Sequence, residues 1–166
     1  MGQVRTRSFD ENDADELVAA VRESYTELAQ WLVWPRAGYG PEEAQAFLSR
    51  QREAWEAGTA YHFAVTEDEW LVGAVSLTPL VEGRLNLGYW VRSAASGRGV
   101  ATATGRIALD HARAMPGVTA VQIAVAKGNG ASRRVAEKLG GRLLDKPVTV
   151  HAEGRPEAGL CYEIRL

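Results

Sequence analysis

Cysteine is nearly absent from this chain: Cys161 stands alone among 166 residues. A lone thiol makes neither an internal disulfide nor a cysteine-based zinc site, and a chain so built suits a reducing cytoplasm. Histidine is scarce too, three in all and scattered, so no metal site is expected. Neither sign of charge is in excess, with 19 basic against 21 acidic residues, a formal charge of -2 and a pI near 6.0. That balance argues against nucleic acid or any polyphosphate held by bulk charge, so an anion bound here needs a local site. Apolar runs of about eighteen residues are missing, and acids are spread through the N-terminal region, which argues against a membrane span and a secretory leader. Met1 to Thr6 does fit the permissive N-myristoylation pattern, but Val4 to Arg7 reads better as a first strand, and one such chain anchors only marginally. What is plentiful is apolar residues, 46% of the chain, enough for one domain over 1–166 with a sizeable core.

Asp10, Asn12 and Asp13 offer N-caps to a helix carrying Leu17, Val21, Tyr25 and Leu28 on one face. It ends in Trp31-Leu32-Val33-Trp34-Pro35, where the proline breaks it. Pro41 suits the first position of a second helix that runs to Gly58, with Glu42 and Glu43 at the positive end of its dipole. Tyr61 to Thr66, Trp70 to Leu77 and Leu85 to Arg92 then read as an antiparallel meander. A helix from Val100 to Ala114, a strand from Ala120 to Ala126 and a helix from Ala131 to Leu139 follow, the last closed by Gly140 and Gly141. Val148 to His151 and Leu160 to Leu166 complete the order β-α-α-β-β-β-α-β-α-β-β, an α+β plan.

The densest chemistry lies between Gly88 and Thr102. A strand enters a small-residue loop, Ser96-Gly97-Arg98-Gly99, and then a helix, so successive N–H groups of Gly97 to Thr102 can point into one concavity suited to an anion. A helix N-terminus is worth about 0.3 to 1 kcal/mol to a nearby anion, and each charge-assisted hydrogen bond about 1.5 to 3. A pyrophosphate fits there without a basic surface. The Lys-Ser/Thr of a P-loop is absent, and the third glycine of a dinucleotide fingerprint is missing, which sets both of those nucleotide classes aside. The same glycines would also serve a plain strand-to-helix turn.

Longer context decides between these. Arg92-x-x-x-Ser96-Gly97-Arg98-Gly99-Val100-Ala101, with Lys127-Gly128-Asn129-Gly130-Ala131-Ser132-Arg133-Arg134 and Lys138-Leu139-Gly140 further on, resembles the Gcn5-related N-acetyltransferase (GNAT) superfamily. Leu28-x-x-Trp31-Leu32-x-Trp34, Leu71-Val72-Gly73 and Leu87-Gly88-Tyr89-Trp90 look like its RimJ/RimL branch of ribosomal-protein alanine N-acetyltransferases. The resemblance implies a mixed, mostly antiparallel sheet of about seven strands, helices on both faces, and acetyl-CoA between splayed central strands. It places the pantetheine along Tyr89, Trp90 and Val91. The pyrophosphate would sit on Gly97, Arg98, Gly99, Val100, Ala101 and Thr102, and Asn129 and Arg134 are further cofactor-binding candidates. Ser132 becomes the candidate acid for the departing thiolate, although Asn129 and Ser132 would also make ordinary helix caps. Trp31, Trp34, Tyr39 and Trp90 are the expected acceptor wall, aromatics that a core would equally absorb.

Three positions depart from the family pattern. Ser96 replaces the loop's Gln/Arg. Ala136 stands seven residues after Asn129, where many relatives have a tyrosine acid, and Asn86 stands where several have a glutamate near the amine. The general base is therefore not evident; Glu27, Glu82 and His62 are weighed for it. His111 falls on an apolar helix face and reads as an interior imidazole. The expectation is direct transfer of acetyl from acetyl-CoA to a primary amine, a protein N-terminus or a small molecule, with no metal, membrane or nucleic-acid partner. A catalytically weak acyl-CoA sensor, a succinyl-type donor and a homodimer are left open.

Overall fold

A computed structural model describes residues 2–166. Met1, which opens the acylation pattern, lies outside them. Among the described residues, five helices and seven strands keep the expected order, with the first expected helix divided in two. They are β1 (Val4–Ser8), α1 (Ala14–Glu23), α2 (Tyr25–Leu28), α3 (Pro41–Ala57), β2 (Tyr61–Glu67), β3 (Trp70–Pro79), β4 (Arg84–Val91), α4 (Val100–Arg113), β5 (Ala120–Ala126), α5 (Gly130–Lys138), β6 (Arg142–Ala152) and β7 (Arg155–Arg165). The strands form one sheet in the order β1-β2-β3-β4-β5-β7-β6, antiparallel at every pair except β4–β5.

Alternation along the strands sends apolar side chains to both faces, and each face has its own helices. On one, Leu17 and Val21 of α1 and Ala44 and Leu48 of α3 pack over Ala64, Leu71 and Ala74. On the other, Val100, Ala108 and Leu109 of α4 and Ala136 of α5 pack over Val75, Leu87 and Ile123. His111 lies in this second layer, as its helical position foretold. Its ring stacks on Phe63 at 4.4 Å, with Nε2 2.9 Å from Thr6 Oγ1.

Two boundaries differ from the sequence reading. The first helix is not continuous to Leu28, because the fully buried Ser24 leaves helical geometry (φ -100°, ψ 6°) and its Oγ accepts the Ser93 N–H at 2.9 Å. The last hairpin is longer than expected, since β6 begins at Arg142 and only Glu153 and Gly154, both with positive φ, make the turn. Arg155 and Pro156 belong to β7. Pro147 escapes the usual penalty because it sits on an edge strand, within the register shift between Leu144 and Val148.

The parallel pair carries the functional consequence. β4 and β5 are in register only at Arg84 with Ala120, Leu85 with Val121 and Asn86 with Gln122. Beyond these the strands part, and β4 from Leu87 to Val91 has no neighbouring strand on that side among the described residues. Unpaired main-chain groups inside a sheet require another partner.

Candidate active site

The gap between β4 and β5 opens into a cleft of about 550 Å³. Tyr89, Trp90 and Val91 line one side, Ile123 to Ala126 the other, and Gly97 with Gly99, Val100, Ala101 and Thr102 line one end. Gly97 (φ 75°) and Gly99 (φ 86°, ψ 0°) both adopt the left-handed conformation that glycine alone takes at little cost. Among the described residues no side chain caps α4, so the N–H groups of its first turn face the cleft unclaimed by a cap. The loop is anchored from behind. Ser93 N–H donates to Ser24 Oγ, Ser93 Oγ to Glu27 Oε2 at 2.9 Å, and Arg92 Nε to Glu23 Oε2 at 2.7 Å.

Arg98 behaves differently from its neighbours. Its side chain turns to the buried Glu67, with Nη2 2.5 Å from Oε2, and it is not part of the cleft wall. The cradle is therefore a main-chain one. Asn129, Ser132 and Arg134 line the cleft from α5. Asn129 is also the cap of that helix, its Oδ1 accepting the Ser132 N–H at 3.1 Å. The Ser132 hydroxyl caps nothing; it lies 2.9 Å from the phenol oxygen of Tyr89. Burial pushes the Tyr89 pKa up and the Ser132 bond only partly offsets this, so the phenol keeps its proton. Ala136 is fully buried in the core, and the Ser96 hydroxyl points back to the Arg92 carbonyl at 3.4 Å.

A second cavity, of about 340 Å³, lies against β4 on the α1/α3 side and shares Leu32, Gly88, Tyr89 and Trp90 with the cleft. Its walls are Trp34, Tyr39, Trp90 and Phe47, with Glu43, Arg50, His62 and Ser76 as the polar groups. Trp34 packs at 5.9 Å on the buried Tyr39 and 6.0 Å on Trp90. The expected aromatic wall thus divides. Trp34, Tyr39 and Trp90 come together, whereas Trp31 lies in the larger cleft, its ring 3.6 Å from where a Cβ on Gly128 would stand.

Of the three weighed bases, only His62 reaches the second cavity. Glu27 lies in the cleft, bound to Ser93, and Glu82 is an exposed turn residue paired with Arg84 at 2.5 Å. Burial lowers the His62 pKa and keeps the ring neutral. Glu43 is engaged by Arg36 and by the Gly40 N–H. Glu43, Phe47, Arg50 and Ser76 were not picked out as site residues from sequence; the first three share one face of α3 at spacings of four and three, and Ser76 holds an alternate strand position, but neither pattern states which cavity it faces.

Trp34 is 41% exposed and lines only the smaller cavity. Trp34→Ala is expected to raise the acceptor KM about fivefold or more and leave acetyl-CoA affinity near the parental value. Lost acetyl-CoA affinity with unchanged acceptor kinetics would put Trp34 on the other side of the site.

A sheet parted beside a glycine-built N–H cradle, with a second cavity meeting the gap across one strand, offers two adjoining sites of the kind a group-transfer enzyme needs. The chain belongs to the acetyltransferase (GNAT) domain family, whose profile matches residues 3–142, and is an acetyl-CoA-dependent N-acetyltransferase. Among curated proteins it is similar to the probable N-acetyltransferase YjcK of Bacillus subtilis strain 168, 27% identical over 143 residues that cover 82% of this chain and 79% of the relative. RimL, a ribosomal L7/L12 alpha-N-protein acetyltransferase solved in complex with coenzyme A, superposes with a TM-score of 0.90 at 18% identity, covering 100% of this chain and 96% of that one. Mycobacterium smegmatis RimJ in complex with a CoA-disulfide gives 0.86 at 22%, covering 99% and 82%. The seven-stranded fold is the same.

Proposed function

We propose that the acceptor is the α-amine of a polypeptide N-terminus, acetylated by direct attack while both substrates are bound. The observation that carries this is the meeting of the two cavities at Gly88, Tyr89 and Trp90. The chemistry of the amine narrows the class. An α-amine with a pKa of about 7.8 is roughly one-seventh neutral at pH 7, whereas a lysine amine at about 10.4 is neutral in roughly one molecule in 2,500. Asn86, at the last rung joining β4 to β5, supplies no carboxylate there, which is in keeping with the less basic amine. RimL, which shares the fold, is an alpha-N-protein acetyltransferase, in keeping with this class.

The residues present suit acetyl-CoA. An unpaired β4 edge takes pantetheine amides, and the N–H groups of Gly97 to Thr102 take the pyrophosphate. Arg134 stands by with its positive charge. When bound, acetyl-CoA supplies an acetyl group already activated as a thioester. The main-chain donors of β4 polarise its carbonyl, and Ser132, backed by the protonated Tyr89, donates to the departing sulfur.

A thiol of pKa about 8.5 leaves tolerably well unaided, so the hydroxyl should contribute about ten- to a hundredfold in kcat, roughly 1.4 to 2.7 kcal/mol. Ser132→Ala is expected to show that loss with acetyl-CoA affinity retained. Parental turnover would assign the Ser132–Tyr89 contact to packing alone. The acceptor class is tested by incubating lysine-containing peptides with free or blocked N-termini and acetyl-CoA, and locating the acetyl group by mass spectrometry. Acetylation of lysine in preference to the α-amine would overturn it.

A further inference from the structure

Sheet register aligns three residues across the floor of the smaller cavity: His62 on β2 faces Ser76 on β3, which faces Gly88 on β4. Directly opposed residues hold their Cβ atoms about 4.5 to 5.5 Å apart, so imidazole and hydroxyl are neighbours. Ser76 Oγ lies 3.5 Å from the Gly88 carbonyl, a long contact that leaves the hydroxyl free to turn. A Cβ at position 88 would stand 3.0 Å from that oxygen, so glycine there keeps the hydroxyl open to the cavity. The His62 ring is held edge-on to Phe47, with centroids 5.6 Å apart. Only burial acts on its titration, with no hydrogen bond contributing.

We propose that His62 takes the proton that the acceptor amine sheds, with Ser76 as the relay at the amine itself. The inference rests on reading this cavity as the acceptor site. As the ammonium gives one proton to Ser76 Oγ, that hydroxyl passes its own to an unprotonated ring nitrogen of His62, and the amine keeps its electron pair. The C–N bond then forms and the C–S bond breaks. The sulfur takes a proton from Ser132, the second amine proton restores Ser132, and His62 releases its proton to water. Of the charged and titratable groups lining the cavity, Arg50 and Glu43 come from α3 and Tyr39 from the preceding loop. Glu43 is already engaged by Arg36, and burial keeps the Tyr39 phenol protonated.

The experiment follows kcat/KM for an N-terminal peptide from about pH 5.5 to 9.5 in the parent, His62→Gln and Ser76→Ala. A side-chain NMR titration of His62 and acetyl-CoA calorimetry accompany it. Each substitution is expected to lower kcat/KM about tenfold or more at pH 7. The deficit should shrink toward parity above about pH 9, where an α-amine is neutral without help. The His62 ring should titrate below about 6.5, the ordinary imidazole value, and acetyl-CoA affinity should not change. Unchanged kcat/KM at pH 7, or a deficit equal at every pH, overturns the assignment. Should His62→Gln fail to fold, Ser76→Ala and the parental titration decide. A parent inert toward every peptide overturns the acceptor reading and this proposal with it, whereas an active parent beside an equally active His62→Gln overturns only the base.

Discussion

Gly99→Val is expected to lower acetyl-CoA affinity at least about tenfold, measured by calorimetry on the folded variant. Gly99 sits at φ 86° immediately before α4, where a β-branched residue is strongly disfavoured. Valine would relax the loop to negative φ and turn the cradle N–H groups away. The variant would then either spend about 1 to 2 kcal/mol to regain the binding geometry or forgo a charge-assisted bond of about 1.5 to 3. Either cost is on the order of 1.4 kcal/mol or more, a tenfold loss. Affinity within a factor of two of the parent would remove the loop from the cofactor site.

Gly73→Val should produce the largest loss of stability. A Cβ at this position would stand closer than any real contact to the Trp90 carbonyl, which belongs to backbone and cannot swing aside. Strands β3 and β4 are in register here, Gly73 opposite Val91, so the added carbon must wedge them apart. Overpacking of a well-packed core costs about 1 to 3 kcal/mol, and a backbone clash belongs at or beyond the upper end. A loss of about 3 kcal/mol shifts the melting temperature by roughly 6 to 12 °C for a domain of this size. Because Trp90 belongs to both cavities, whatever fraction stays folded should also lose activity. An unchanged melting curve would show that the sheet absorbs the clash elsewhere.

Where structure is set by neighbouring residues, the chain was readable. Strand β5 runs from Ala120 to Ala126 as read, and α3 starts at Pro41 and ends against Gly58, which takes φ 67° as its C-cap. The glycine loop and the start of α4 were readable for the same reason, being contiguous. The break at Ser24 was not, since its hydrogen-bond partner Ser93 lies far along the chain. Nor was the start of β6, an edge strand where Leu143 is 53% exposed and Pro147 interrupts the alternation. The smaller cavity draws on α3, β2, β3 and β4. His62 and Ser76 stand at strand positions whose facing depends on register, and Glu43 and Arg50 on a helix face whose packing partner is set by the fold; a single sequence states neither. The division of Trp31 from Trp34 had the same cause, because helical spacing says nothing of a chain that has already left the helix.

The three-rung joint between β4 and β5 has a mechanical meaning. It lies at one end of both strands, and the opening lies at the other, as in a clothes-peg. Glu163 of β7 clamps the closed end by accepting from Arg84 of β4 at 3.3 Å and from Gln122 of β5 at 2.9 Å, while Lys146 of β6 holds Gln122 at 3.1 Å. Each jaw is otherwise braced by its own antiparallel partner, β3 for β4 and β7 for β5. A rotation at such a pivot would open the far end most, and the layer of α4 and α5 that packs over both strands resists it. The width of the cleft is thus tied to a four-residue polar clamp at its closed end.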